Sequence, residues 1–191
     1  DLCSLHEGVK RPCIAVEMKL SPSGEKLSHR FVRGLMRSPA SLSYEEAQAA
    51  VDGDPSERLA PLVDTVLTPL FAAYTALKQA REARQPLELD LPERKIILTD
   101  SGKVASVNFS ERLDAHRLIE ECMVLANVAA AETLIAKQQP LLFRVHEEPS
   151  PEKMDSLRET AKSVGLVLAK GQVLHTRHLN QLLKAAAGKD E

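Results

Sequence analysis

The sequence predicts an α+β fold in which antiparallel hairpins pack with several helices. Three observations point there. Apolar and polar residues alternate along residues 12–20, next to a turn-forming "SPSGE". Helix-start signals stand at Ser43 and Ser150, each followed by an apolar residue pattern of helical period. Hairpins and helices follow one another without a regular βαβ alternation, which excludes a parallel doubly wound sheet.

In "PCIAVEMKL", Ile14, Val16, Met18 and Leu20 fall on one face and Ala15, Glu17 and Lys19 alternate with them, the pattern of a half-buried strand. "KLSHRFVRGLMRS" continues after the turn, so 12–38 is expected to be a hairpin. Its second strand sets Phe31, Arg33, Leu35 and Arg37 on one face. That face is either a solvated basic surface or one that meets phosphates, and the hairpin as a whole offers Arg30, Arg33 and Arg37 as candidate backbone contacts. The segment 43–84 is helical. Ser43-x-x-Glu46 forms a capping box that starts a short helix at Tyr44, ending near "DGDP". A longer helix is expected over 56–84, kinked or split at Pro69, with Leu59, Leu62, Val63, Val66, Leu70, Ala73 and Leu77 as its buried stripe. Strands are expected over 86–109: "LELDLP", then a hairpin turning at Asp100-Ser101-Gly102. A long core helix follows over 110–137. The C-terminal α/β part, 140–188, comprises a strand at "LLFRV" and a helix opened by Ser150-Pro151. That helix carries a core stripe of Met154, Leu157, Ala161 and Val164 and stops at Gly165. A last helix in "HTRHLNQLLKAAAGKDE" ends in a frayed tail.

The 191 residues suit one domain or slightly more, and 43% hydrophobic with 27% charged residues is ordinary for a globular protein. Four Phe, two Tyr and no Trp are too few for a protein that grips bases by stacking alone. A net charge of −2 weighs against a stand-alone nucleic-acid binder, although Lys10, Arg11, Lys19, Lys26, Arg30, Arg33 and Arg37 make residues 1–40 locally basic. The three cysteines form no CxxC and read as reduced thiols of a cytoplasmic protein. The apolar stretch Cys122–Ala136 is interrupted and too short to span a bilayer, so no membrane partner is expected. The start at Asp1 is read as that of a fragment.

No complete active site stands in the chain. There is no Gly-rich phosphate loop and no GxSxG elbow. His175-x-x-His178 can share a helix face but lacks a third zinc ligand. Asp52 and Asp54 flank a turn, and no dense Asp cluster offers a two-metal centre. The polar residues of "RLIEECMVLANVAAAETL" remain. Glu120 and Asn127 lie near one face of the long helix with His116 or Arg117, and Arg117 and Glu121 are spaced i,i+4. A helix apolar nearly all round is buried, and a buried carboxylate must be paired, hydrogen-bonded or protonated. Glu120 is therefore either half of a structural ion pair with Arg117 or His116, or an acceptor of ligand hydrogen bonds lining a cleft.

The blocks "DLCSL", "RPCIAVEM", "RSPASLSYEEA", "RLIEECMVLANVAAAE" and "LLFRVHEEPSPEKMDSLRE" occur in order from the first residue nearly to the last. Together they resemble the catalytic (RNB) domain of the ribonuclease II and ribonuclease R exoribonucleases, the bacterial ribonuclease R branch being the nearer. The resemblance implies a partial RNB domain, residues 1–191 forming its central part, from a processive enzyme that degrades single-stranded RNA from the 3′ end with magnesium. In that family a magnesium-binding aspartate cluster lies upstream of the "LCSL" block and a Ser-Pro-x-Arg phosphate segment lies downstream. The magnesium ligands are therefore expected outside this chain, and these 191 residues alone are expected to be inactive. By the same resemblance Tyr44 matches an aromatic that contacts the 3′-terminal nucleotides, and Glu120 a Glu that hydrogen-bonds a base near that end. Glu121 is then expected to pair with Arg117. One departure stands out: a stacking aromatic that some members carry in the strand matching "LELD" is here Leu89. The rival expectation is a non-catalytic RNB-like protein acting through protein contacts. A domain cut in its middle also exposes apolar surface, so a non-native dimer of the fragment is expected.

Overall fold

The computed structural model describes residues 3–89, 93–169 and 175–187. They fall into two compact units, one formed by Asp1–Ala80 with Glu93–Leu141 and the other by Arg81–Pro92 with Leu142–Glu191.

The first unit begins with a ribbon of β1 (Lys10–Leu20) and β2 (Lys26–Arg37), paired antiparallel with Val16 opposite Phe31 and Ile14 opposite Arg33. At its tip Gly24 adopts φ +81°, and a Cβ built there would stand 2.0 Å from the Ala76 carbonyl oxygen. Only glycine lets the ribbon tip approach the backbone at Ala76 so closely. Near the tip, Val16, Met18 and Leu20 are half-buried as their alternation predicts. Ile14, expected on the same buried face, is 73% exposed. The ribbon twists, so its far end presents the opposite face inward, with Cys13, Val32 and Met36 half-buried there.

α1 (Tyr44–Val51) starts at the capping box. Ser43 Oγ accepts the Glu46 amide at 3.1 Å, and Glu46 Oε2 accepts the Ser43 amide at 2.8 Å. The expected helix over 56–84 is split as Pro69 predicts, into α2 (Ala60–Leu62), a π-helical turn (Val63–Leu67) and α3 (Thr68–Arg84). The wide turn relieves the clash of a proline ring with the carbonyl four residues back. It also corrects the middle of the predicted stripe, because an extra residue in one turn rotates the residues around it, while Leu59 and Leu77 stay buried as expected. Leu59, Leu67, Tyr74 and Leu77 are buried, while Val66 and Leu70 are 47% and 38% exposed. Ala50, Leu59 and Leu67 form the core, with Leu42, Val51, Leu62 and Val63 against it. Ala60–Arg84 is long and apolar enough by composition to cross a membrane; here it lends Leu67, Tyr74 and Leu77 to the buried interior.

β3 (Glu93–Leu98) and β4 (Val104–Ser110) form a second, separate ribbon. Its Ile96, Val107 and Phe109 are all more than half exposed. α4 (Asp114–Ala136) starts four residues later than the 110–137 expected. Nor is it buried all round: Ala115, Leu118, Glu121 and Ala129 are buried, whereas Met123, Val124, Val128 and Asn127 are exposed. β2 is tied to its last turns by Lys26 Nζ to Glu132 Oε2 at 2.6 Å and His29 Nε2 to Thr133 Oγ1 at 2.7 Å.

In the second unit, Ser150 caps α5 (Pro151–Ser163), and Gly165 at φ +75° ends it. α6 (Thr176–Ala186) holds residues 85–88 through its side chains. Asn180 accepts the Glu88 amide at 2.9 Å and donates to the Pro86 carbonyl at 2.8 Å, and Thr176 donates to the Gln85 carbonyl. These bonds stand where a strand was expected in "LELDLP". Residues 85–89 are irregular, and Asp90–Pro92 lie outside the described residues. "LLFRV" is not a strand either; Leu142, Phe143 and Val145 are 98%, 67% and 77% exposed. An apolar run becomes a strand only where a neighbour accepts its ladder, and none does so among the described residues. The frayed tail expected after Ala187 is likewise outside them.

Candidate functional site

The site grows from two helix starts. The capping box fixes Tyr44 as the first residue of α1. Asp114, Ala115 and His116 open α4, whose N-cap is Leu113, a residue with no side-chain acceptor. The missing cap comes from α1: Gln48 Oε1 accepts the Ala115 amide at 3.0 Å, and Gln48 Nε2 reaches Asp52 at 3.2 Å. Gln48 lies one turn from Tyr44, and Ala115 is next to His116. This bond therefore brings the two rings together, and Tyr44 stacks on His116 at 4.0 Å between centroids and 24° between planes. His116 Nδ1 is buried and makes no hydrogen bond among the described residues. Tyr44 remains 41% exposed.

Glu120 follows His116 by one turn on the same face of α4. Its carboxylate takes a hydrogen bond from Arg112 Nη2, just before the helix, and its side chain is 40% exposed. The sequence left Glu120 either to an ion pair with Arg117 or His116 or to a ligand's hydrogen bonds; the structure adds an ion pair with Arg112. Arg117 Nη1 stands 3.6 Å from Asp114 Oδ1. The adjacent carboxylates of "EE" thus have opposite fates. Glu120 looks outward, and Glu121 is 4% exposed. Glu121 sits where burial pushes the Cys122 thiol up, with the Glu121 charge adding to it. The Tyr74 hydroxyl is pushed up to about 12, first by burial and then by its 3.1 Å hydrogen bond to Asp114 Oδ1. Asn127, on the same sequence wheel, is exposed and lies outside this group.

Arg58 braces the α1 start from below, bonding Glu7, the Ser41 carbonyl and Glu46. The Ser43 amide and then Arg58 hold the Glu46 carboxyl below its usual range. On the first ribbon, Arg30 pairs across to Glu17 at 2.7 Å. Arg33 and Arg37 lie on the opposite face, exposed and without an ion pair among the described residues. The three arginines are therefore not one surface. Leu89, in the second unit, is 50% exposed. His178 Nδ1 accepts the His175 amide at 3.2 Å, so the histidine pair serves the start of α6. Among the described residues no three His, Cys, Asp or Glu side chains converge to hold a metal ion. These residues do not fit a magnesium centre.

Sequence reasoning found Tyr44, His116 and Glu120 separately but missed Gln48 and Arg112. The four-residue spacing from Tyr44 to Gln48 was visible; that this face meets α4 was not.

A family profile described as the RNB domain matches residues 1–191. The chain is 36% identical to ribonuclease R of Vibrio parahaemolyticus over 192 residues, covering 100% of this chain and 23% of that protein. It is 35% identical to ribonuclease R of Escherichia coli, covering 100% and 24%. Against ribonuclease R of Aquifex aeolicus it is 30% identical, covering 100% and 27%. The chain thus spans about a quarter of the length of these curated relatives. In backbone it is similar to Mycoplasma genitalium RNase R in complex with ribose-methylated single-stranded RNA, with TM-score 0.87 at 22% identity, covering 98% of this chain and 30% of that one. The complex of that enzyme with double-stranded RNA gives TM-score 0.85 at 24% identity, covering 98% and 34%.

Proposed function

The chain belongs to the RNB domain family, and on that premise we propose that it is the RNA-positioning middle section of a processive 3′→5′ exoribonuclease acting on single-stranded RNA. One observation carries the reading: an exposed aromatic face, Tyr44, backed by His116, with a carboxylate one helical turn along the same face. The open side of Tyr44 takes the terminal base by stacking, which is indifferent to base identity and contributes about 1–3 kcal/mol. Glu120 accepts hydrogen bonds from base N–H groups near the 3′ end, and Arg112 steadies its carboxylate in one orientation. Holding the terminal nucleotides in register is a positioning contribution to the reaction. Arg33 and Arg37, both exposed, are proposed contacts to the phosphate backbone, where protein cations displace the counterions condensed on the RNA. The solved RNA complexes of the Mycoplasma genitalium relative support RNA as the ligand.

Hydrolysis itself is assigned to the complete enzyme, with magnesium held by residues outside this chain; by itself the 191-residue segment is inactive. Three free cysteines accord with a cytoplasmic enzyme. A second reading, a non-catalytic RNB-like protein acting through protein contacts, is favoured by the exposed Ile96, Val107 and Phe109 of the second ribbon. The same apolar surface would drive the isolated segment to dimerise.

The test compares the complete gene product with the 191-residue segment in magnesium-dependent 3′-end digestion of single-stranded RNA. Digestion is expected only from the complete product, with KM raised by Tyr44→Ala and by Glu120→Ala. No digestion by the complete product would favour the second reading. Unchanged kinetics in both variants would remove these residues from the RNA path.

A further inference from the structure

Tyr44 and Glu120 do not account for His116. We propose that His116 is a positioning residue: its imidazole backs the Tyr44 ring, so that the tyrosine is a fixed shelf for the 3′-terminal base. This rests on the RNA reading above. An exposed tyrosine at a helix start is otherwise free to change rotamer, and a ligand that stacks on it must first halt that motion. Here the ring is already held at 4.0 Å over an imidazole in a near-parallel stack. The imidazole is held in turn, because the opening turn of α4 is bound to α1 through Gln48 and the Ala115 amide. A third ring, the base, would extend the stack on the side that leaves Tyr44 41% exposed.

The ring face of His116, rather than its Nδ1, does this. Its Nδ1 is buried and hydrogen-bonded to nothing among the described residues. A general base must reach the proton it removes, and this nitrogen is enclosed. A metal ligand would need companions, and no group of three exists among the described residues. What the imidazole offers is a flat surface of the right size in the right plane.

The prediction separates a platform from a hydrogen-bonding group. In the complete gene product, with a chelator present so that RNA survives, a single-stranded RNA carrying 2-aminopurine at its 3′ end reports stacking by loss of fluorescence. His116→Ala is expected to weaken terminal quenching and to bind the RNA about two- to twelvefold less tightly, the factor an aromatic pair is worth. An internal 2-aminopurine should be unaffected. His116→Phe, which keeps the flat ring and removes the nitrogens, is expected to restore both readouts. Should His116→Ala fail to fold, His116→Leu replaces it, filling the space without a ring. Wild-type quenching and affinity in the Ala or Leu variant, with Tyr44→Ala defective, would overturn the role of His116 alone. Failure of His116→Phe to restore quenching would overturn the platform too. Wild-type behaviour of Tyr44→Ala would instead overturn the RNA reading on which the inference rests.

Discussion

Gln48→Met should loosen the junction that aligns Tyr44 with His116. The substitution keeps the length of the side chain but removes the oxygen that accepts the Ala115 amide at 3.0 Å. Ala115 is 4% exposed, so water cannot replace that oxygen, and Leu113 at the N-cap has no side-chain acceptor to offer. Losing an N-cap acceptor costs about 0.5–2 kcal/mol, and stranding a buried amide costs about 1–3 kcal/mol. Both describe the same lost bond, so the expected destabilisation is their overlap, about 1–2 kcal/mol. Tyrosine fluorescence is a suitable probe. The chain has no Trp, and both of its tyrosines, Tyr44 and Tyr74, lie in the first unit. The signal then follows that unit rather than an average over two. A fall in Tm of about 2–8 °C is expected. Gln48→Glu retains an acceptor and should fall closer to wild type, since a carboxylate at a helix N-terminus is favourable by about 0.3–1 kcal/mol. Its charge meets Asp52, however, so full recovery is not expected. A shift within the roughly 0.5 kcal/mol typical of surface changes, or a Gln48→Glu worse than Gln48→Met, would refute the bond as the link between the helices.

Gly24→Ala should destabilise the first unit by more than about 2 kcal/mol. A left-handed conformation costs an L-residue about 1–2 kcal/mol, and overpacking against a backbone carbonyl adds about 1–3 kcal/mol, the added Cβ lying 2.0 Å from the Ala76 oxygen. Gly8→Ala is the control, having φ +73° but open space around it; equal losses in the two variants would show that the ribbon tip is not seated as described. Tyr74 makes the fold sensitive to alkali. Its hydroxyl titrates at about 12 when folded against 10.0 for the unperturbed group, so the folded state holds the proton more tightly. That contribution, about 2–3 kcal/mol, is complete below pH about 10 and is lost as pH rises through about 12. Tyr74→Phe should flatten this alkaline loss in urea midpoints measured against pH, and parallel curves for the two proteins would exclude it.

Most of the local structure was legible because its causes are local. The Ser43–Glu46 capping box, the "SPSGE" turn, the turn at Gly102, Ser150-Pro151 and Gly165 each act within a few residues, and each appears where its chemistry puts it. Pro69 announced a break in its helix, but not that the break would be a π turn. That single extra residue moved the buried positions from Val66 and Leu70 to Leu67 and Tyr74. Among the described residues, the strands expected at residues 87–89 and in "LLFRV" did not form, for another reason. "LELD" and "LLFRV" have strand composition, but a strand needs a neighbour to pair with, and pairing is not a property of the segment.

The candidate site divides along the same line. Residue types and spacings placed Tyr44 at a helix start and put His116 and Glu120 one turn apart on another helix, since a capping box and a 3.6-residue period need no tertiary contact. Whether those helices meet, which of two adjacent glutamates turns outward, and which arginine answers it depended on packing. Glu121 is buried because Ala115, Leu118 and Ala129 share its side of α4, and Glu120 is left to Arg112. Gln48 could be recognised only when folding brought an uncapped amide within 3.0 Å of it.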